Sequence, residues 1–155
     1  MLLNSPTLTH NGTIPVKYTA DGENITPPFT ISYVPQAAQS LVFLVEDPDA
    51  PVGLWVHWMI WNINPNITEM KENEIPRDGI VGMNSSMQNE WDKISPPDKE
   101  HRYFFKLYAL DIKLELDPAT TKSEDLVAAM EGHTVAKAEF IGKYGVKEEE
   151  PIAAS

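Results

Sequence analysis

The chain has 155 residues, no cysteine, and 23 acidic against 12 basic side chains, a formal net charge of −11 at pH 7. That length suits one domain with a sizeable buried core, and the absence of cysteine excludes disulfides, thiol catalysis and thiolate metal sites. The acidic balance argues against a nucleic-acid partner and against docking on anionic lipid, since both need a basic face.

The N-terminus, Met1-Leu-Leu-Asn-Ser-Pro6, has neither a basic region nor a long apolar core, so no signal peptide is expected, and the expected location is cytoplasmic. No apolar run is long enough to span a bilayer. The four Asn-x-Ser/Thr sequons, starting at Asn11, Asn24, Asn66 and Asn84, therefore read as chance. Asn11-Gly12 and Asp21-Gly22 are turn signals. Between them Ile14 to Tyr18 reads as a short strand that Pro15 confines to an edge. Phe29, Ile31 and Tyr33 alternate with Thr30, Ser32 and Val34 in a half-buried strand.

Leu41 to Val45 is an unbroken apolar run, the pattern of a strand buried on both faces. It runs straight into Glu46, Asp47 and Asp49, with Pro48 and Pro51 stiffening the segment. These acids either cap neighbouring backbone in a turn or line a site at the mouth of the strand. Leu54 to Ile63 is a second central strand. Strict period two places Trp55, His57, Met59 and Trp61 on one face, and Val56, Trp58, Ile60 and Asn62 on the other.

Residues 64–100 lack strong periodicity, and a stretch that long within a domain is usually functional or disordered. Met83, Met87 and Trp91 favour order. His101 to Asp111 is the third strong strand, with His101, Tyr103, Phe105 and Leu107 on one face. Ser123 to Glu131 is a helix with Ser123 as N-cap and Gly132 at its end. His133 to Tyr144 fits neither a strand nor a helix cleanly. One domain is expected over residues 1–146, with an acidic, disordered tail over 147–155. The fold class is mostly β: an antiparallel sandwich with one or two short peripheral helices.

Each strong strand begins or ends with polar groups out of keeping with its core: Asp47 and Asp49, His57, and His101 with Tyr103. A buried histidine needs a partner, and a neighbouring carbonyl would suffice for His57. Should the three strands be neighbours, two imidazoles, a phenol and two carboxylates would converge. Asp47 could then orient one imidazole and leave the remaining nitrogens and the Tyr103 hydroxyl for an anion.

Several blocks of the chain resemble the phosphatidylethanolamine-binding protein family, in its bacterial and archaeal branch. They are Ile14-Pro-x-x-Tyr18 through Asp21-Gly-x-Asn24 to Pro27-Pro28, Asp47-Pro-Asp-Ala-Pro51, His57-Trp58 with Asn62, and Pro96-Pro97 followed by His101-Arg-Tyr103. Gly132 to Tyr144 is also similar to that branch. The resemblance implies a Greek-key sandwich with a small anion pocket built from Asp47, Asp49, His57, Pro97, His101 and Tyr103, with the loop aromatic Trp91 as a further ligand-binding position. It also implies a cis peptide at Ala50–Pro51, and a homodimer, since the branch lacks the long C-terminal helix of eukaryotic relatives. One loop departs from the pattern: where the family has Gly-Pro-Cys before Pro-Pro, this chain has Lys93-Ile94-Ser95. Losing that glycine would reshape the pocket, and Lys93 could supply a point charge.

The expected function is non-enzymatic binding of a small anion, a phosphate or phosphorylated head group, with a kinase or protease as the protein partner. No cofactor, metal or stable membrane insertion is expected. The alternative is a hydrolase using the His and Asp residues through a metal or through acid/base chemistry. If His57 and His101 both flank the anion, one gains a proton on binding, and affinity falls as pH rises.

Overall fold

The apolar run after Ser40 becomes β4 (Ser40–Asp47), all eight residues of which are buried. It lies inside a six-stranded sheet, with β5 (Trp55–Ile63) on one side and β8 (His101–Leu110) on the other, both antiparallel. A strand covered on both faces has no polar side to present, which is why this one has no alternation. β9 (Thr134–Tyr144) pairs with β8 and settles the ambiguous segment as a strand. β2 (Gly12–Thr13) adds a short parallel edge to β9, and β7 (Ile80–Val81) closes the far side against β5. The computed structural model describes residues 1–146, so the expected tail lies outside the described residues.

A second sheet of three strands, β1 (Leu2–Asn4), β3 (Phe29–Ser32) and β6 (Glu69–Met70), packs over the large one. Phe29 is the joint between the layers. Its ring lies 5.4 Å from Phe43, 4.9 Å from Phe105 and 5.6 Å from Phe140, distances at which aromatic pairs add to plain burial. The opposite face of the large sheet is covered by the one α-helix among the described residues, α1 (Ser123–Met130). Leu126 and Met130 pack there with Leu110 and Leu114 against Val42, Leu44, Met59 and Trp61.

Three local expectations need correction. Ile14 to Tyr18 is not a strand: Val16–Tyr18 form a single 3-10 turn. Ile14 still donates to Lys143 O at 2.7 Å, but Pro15 has no N–H and ends the pairing. The N-cap of α1 is Lys122, not Ser123, and its N–H is held by the Asp125 carboxylate at 2.9 Å. The Ala50–Pro51 bond is trans, as are all peptide bonds among the described residues. Ala50 to Gly53 is a β-turn closed by Gly53 N–H to Ala50 O at 2.9 Å. Proline sits at its second position, where a trans proline already has the required φ.

Candidate functional site

The acids at the end of β4 all find partners on β8. Glu46 pairs with Lys106 at 2.8 Å on the outer side of the sheet. Asp47 points inward and accepts from His101 Nδ1 at 2.7 Å, with both side chains almost completely buried. Asp47 Oδ1 also accepts from the Asp49 N–H at 2.8 Å, fixing the turn. Asp49 is taken up by Arg102, at 2.9 Å each from Nε, Nη2 and the backbone N–H. That bidentate pair drives the Asp49 carboxyl down to about 2.

β5 is irregular where it matters. Val45 pairs with Trp58 but Glu46 pairs with Val56, so His57 is the extra residue of a β-bulge. The bulge breaks the expected alternation. Val56, Met59 and Trp61 face the helix layer, while Trp58 and Ile60 face the inter-sheet core. His57 is released from the Met59–Trp61 face and its ring meets Tyr103 edge-on, centroids 5.3 Å apart.

Asp92 locks that ring. Its carbonyl oxygen lies 3.0 Å from His57 Nδ1, while its N–H donates to the His57 carbonyl at 2.9 Å. Its carboxylate accepts from Trp55 Nε1 and from Ser86 Oγ, both at 2.8 Å. Burial pushes the His57 imidazole below its usual value; Asp92 and Asp47 pull it back only in part, and the charge of His101 adds to the lowering. Tyr103 is raised, first by burial and then by the carboxylates around it.

His101 is held from both sides. Besides Asp47 at Nδ1, Asp98 meets its Nε2 at 2.5 Å. Burial works to lower this imidazole, and the bonds and charges of the two carboxylates outweigh it, leaving it above the usual histidine value.

Together these groups enclose a cavity of about 340 Å³. Of the expected residues, Asp47, His57, Pro97, His101 and Tyr103 line it. Asp49 does not, because Arg102 holds it outside. Trp91 does not either; it stacks behind His57 and Trp58 and against Phe105 as part of the core. Of the lining, sequence reasoning missed Trp55, Ser86 and Asp92; it also missed Asp98, which holds His101 from outside the lining. Pro96-Pro97 next to His101 pointed to Asp98's neighbourhood, but nothing in the sequence marked Asp92. In the altered loop, Ile94 is fully buried in the inter-sheet core and its carbonyl accepts from the Ala20 N–H at 3.0 Å. The substitution thus anchors the cavity wall, and Lys93 lies exposed at its rim.

The profile of the phosphatidylethanolamine-binding protein family matches residues 4–145. The chain belongs to the phosphatidylethanolamine-binding protein family. Relatives include a UPF0098 protein of Methanothermobacter thermautotrophicus, 44% identical over 149 residues, covering 93% of this chain and 98% of that one. A UPF0098 protein of Chlamydia pneumoniae is 43% identical over 150 residues with the same coverage. Among solved structures, the phosphatidylethanolamine-binding protein homologue CT736 of Chlamydia trachomatis superposes with a TM-score of 0.88 at 38% identity, over 96% of this chain and 97% of that one. YbcL of E. coli, at 24% identity and a TM-score of 0.86 over 94% and 98%, shares the fold. Family membership places the cavity in a known scaffold; the chemistry argued below rests on its own side chains. No helix among the described residues is long and apolar enough to cross a membrane.

Proposed function

We propose that this phosphatidylethanolamine-binding protein family member is a non-enzymatic receptor for a small oxyanion, a phosphate or a phosphorylated head group. One observation carries the reading. His57 Nε2 and Tyr103 Oη are side-chain polar atoms of the cavity lining with no hydrogen-bond partner among the described residues, and neither is sealed from solvent. Both residues are almost completely buried, yet these two polar atoms open into one cavity beneath the apolar walls of Pro51 and Pro97, where a polar ligand can reach them. Lys93 adds a cation at the mouth.

The hydrolase reading has less support. Asp47, Asp92 and Asp98 are already bonded to His101, Trp55 and Ser86. Ser86 donates to the Asp92 carboxylate, which is already shared with Trp55, and no hydroxyl of the cavity lining is paired with a histidine. A kinase or protease partner would read occupancy at the rim, where Val52 borders the cavity and is 78% exposed. The cytoplasm is the compartment we propose, since phosphomonoesters are made and used there.

Calorimetric titration of inorganic phosphate into wild type and Tyr103→Phe tests the proposal. Saturable binding is expected, weakened roughly tenfold in Tyr103→Phe by loss of one buried hydrogen bond. Wild-type protein that takes up no phosphate, or that turns over p-nitrophenyl phosphate, overturns it.

A further inference from the structure

We infer that the cavity selects oxyanions that carry a proton, such as a phosphomonoester monoanion, over sulfate and over phosphodiesters. This rests on the oxyanion reading above and names the ligand class within it.

Asp92 O can only accept, so His57 Nδ1, 3.0 Å away, bears the hydrogen of that bond. The neutral ring then presents a bare lone pair at Nε2. A second proton would place a charge on a ring that is 4% exposed. The charged and titratable groups facing it are Asp92 beside it, Asp47 from β4, and His101 and Tyr103 from β8. Their combined effect leaves burial dominant. Tyr103 keeps its proton, because burial and the neighbouring carboxylates all oppose a phenolate.

The free pair is therefore an acceptor, His57 Nε2, and a donor, Tyr103 O–H, on rings whose centroids lie 5.3 Å apart at the wall of one cavity. Its complement is an oxygen with a hydrogen beside an oxygen without one. A phosphomonoester, whose second ionisation lies near ~6, offers both on one phosphorus. Sulfate near neutral pH offers four acceptors and no donor, and would leave Nε2 facing an oxygen lone pair. A phosphodiester has a single charge but no hydrogen. The field acts in the same direction: Asp47 and Asp92 line the cavity and Asp98 sits behind His101, against the cations His101 and Lys93, which opposes a second negative charge on the ligand.

Four soluble probes separate charge from protonation: inorganic phosphate, methyl phosphate, dimethyl phosphate and sulfate, each titrated into wild-type protein at about pH 6.5 and 7.5, within the histidine range. At about pH 6.5 phosphate and methyl phosphate are expected to bind roughly tenfold more tightly than dimethyl phosphate and sulfate, the cost of an unmatched buried acceptor, and methyl phosphate should weaken at about pH 7.5 as its monoanion is depleted. In the phosphate complex, the 15N shifts of His57 should remain those of a neutral ring protonated at Nδ1. Vesicles carrying phosphatidate, a lipid phosphomonoester, should compete, whereas vesicles of phosphodiester lipids should not; competition weaker than that of methyl phosphate marks a soluble ligand as the better source. Sulfate or dimethyl phosphate binding as tightly as methyl phosphate, or an imidazolium pattern at His57, overturns the inference while leaving the oxyanion receptor standing. If none of the four binds, both fall.

Discussion

His101 Nδ1 and Asp47 Oδ2 lie 2.7 Å apart, 1% and 4% exposed, and tie the first residue of β8 to the last residue of β4. Asp98, 43% exposed, holds the opposite ring nitrogen from the solvent side. An imidazole sharing hydrogens with two carboxylates is a fastener for the Pro96-Pro97 wall. It is not the open anion donor that spacing alone suggested.

Removing that fastener should be costly. His101→Ala leaves the Asp47 carboxylate buried without its partner, a loss of about 3–5 kcal/mol in urea unfolding. Loss of stability below ~1 kcal/mol, the scale of an exposed pair, would show that the bridge is not formed in solution.

The bridge also sets a pH dependence of stability. The folded value of His101 lies above its unfolded value of ~6.5. The folded state therefore holds the proton more tightly, so this contribution is complete below ~6.5 and is lost as pH rises through the folded value. Asp98→Asn should bring the His101 titration down, read by the ring proton shifts, and change overall stability by less than about 1 kcal/mol because Asp98 is largely solvated. An unmoved His101 titration in that variant would remove Asp98 from the bridge.

For Asp49 the expectation is a structural role only. Asp49→Ala should leave phosphate affinity within about twofold and cost up to ~1 kcal/mol, as for a partly exposed pair. Its carboxyl titrates near 2 in the folded state. That contribution is present above the unfolded value of ~3.9 and fades as pH falls toward 2. A tenfold loss of phosphate binding would return Asp49 to the site.

Ile94 should couple stability to the cavity wall. Ile94→Ala is expected to cost about 2–5 kcal/mol, as for other buried aliphatic truncations. It should also weaken phosphate binding, because the loop it anchors carries Asp92, which orients His57. Unchanged affinity in a destabilised Ile94→Ala protein would separate the two.

We also propose a homodimer. Leu54, 56% exposed, borders one hollow with Met87 and another with Val127, all three exposed. Such a run of apolar surface favours a partner. Light scattering should give a dimeric mass, reduced to the monomer in Leu54→Glu; a monomeric wild-type mass counts against the dimer.

Much of this protein was legible in the residue order. The unbroken run 41–45, the alternation of His101 to Leu107, and the acids at the end of β4 named the central strands and located Asp47, His101 and Tyr103 in the cavity. Burial on both faces, or on alternate faces, leaves its mark on composition residue by residue, so local reading recovers it. The rest was decided by pairing between distant strands. A bulge is defined by a partner's register, and nothing around His57 announces that Val45 and Glu46 will skip it. Asp49 and Arg102 are 53 positions apart, and only the β4–β8 register turned a predicted ligand into an ion pair. Asp92 serves His57 through its backbone carbonyl, a group every residue has, so no side-chain pattern could single it out. Asp98 was one carboxylate among many in an acidic chain until the loop folded back onto His101.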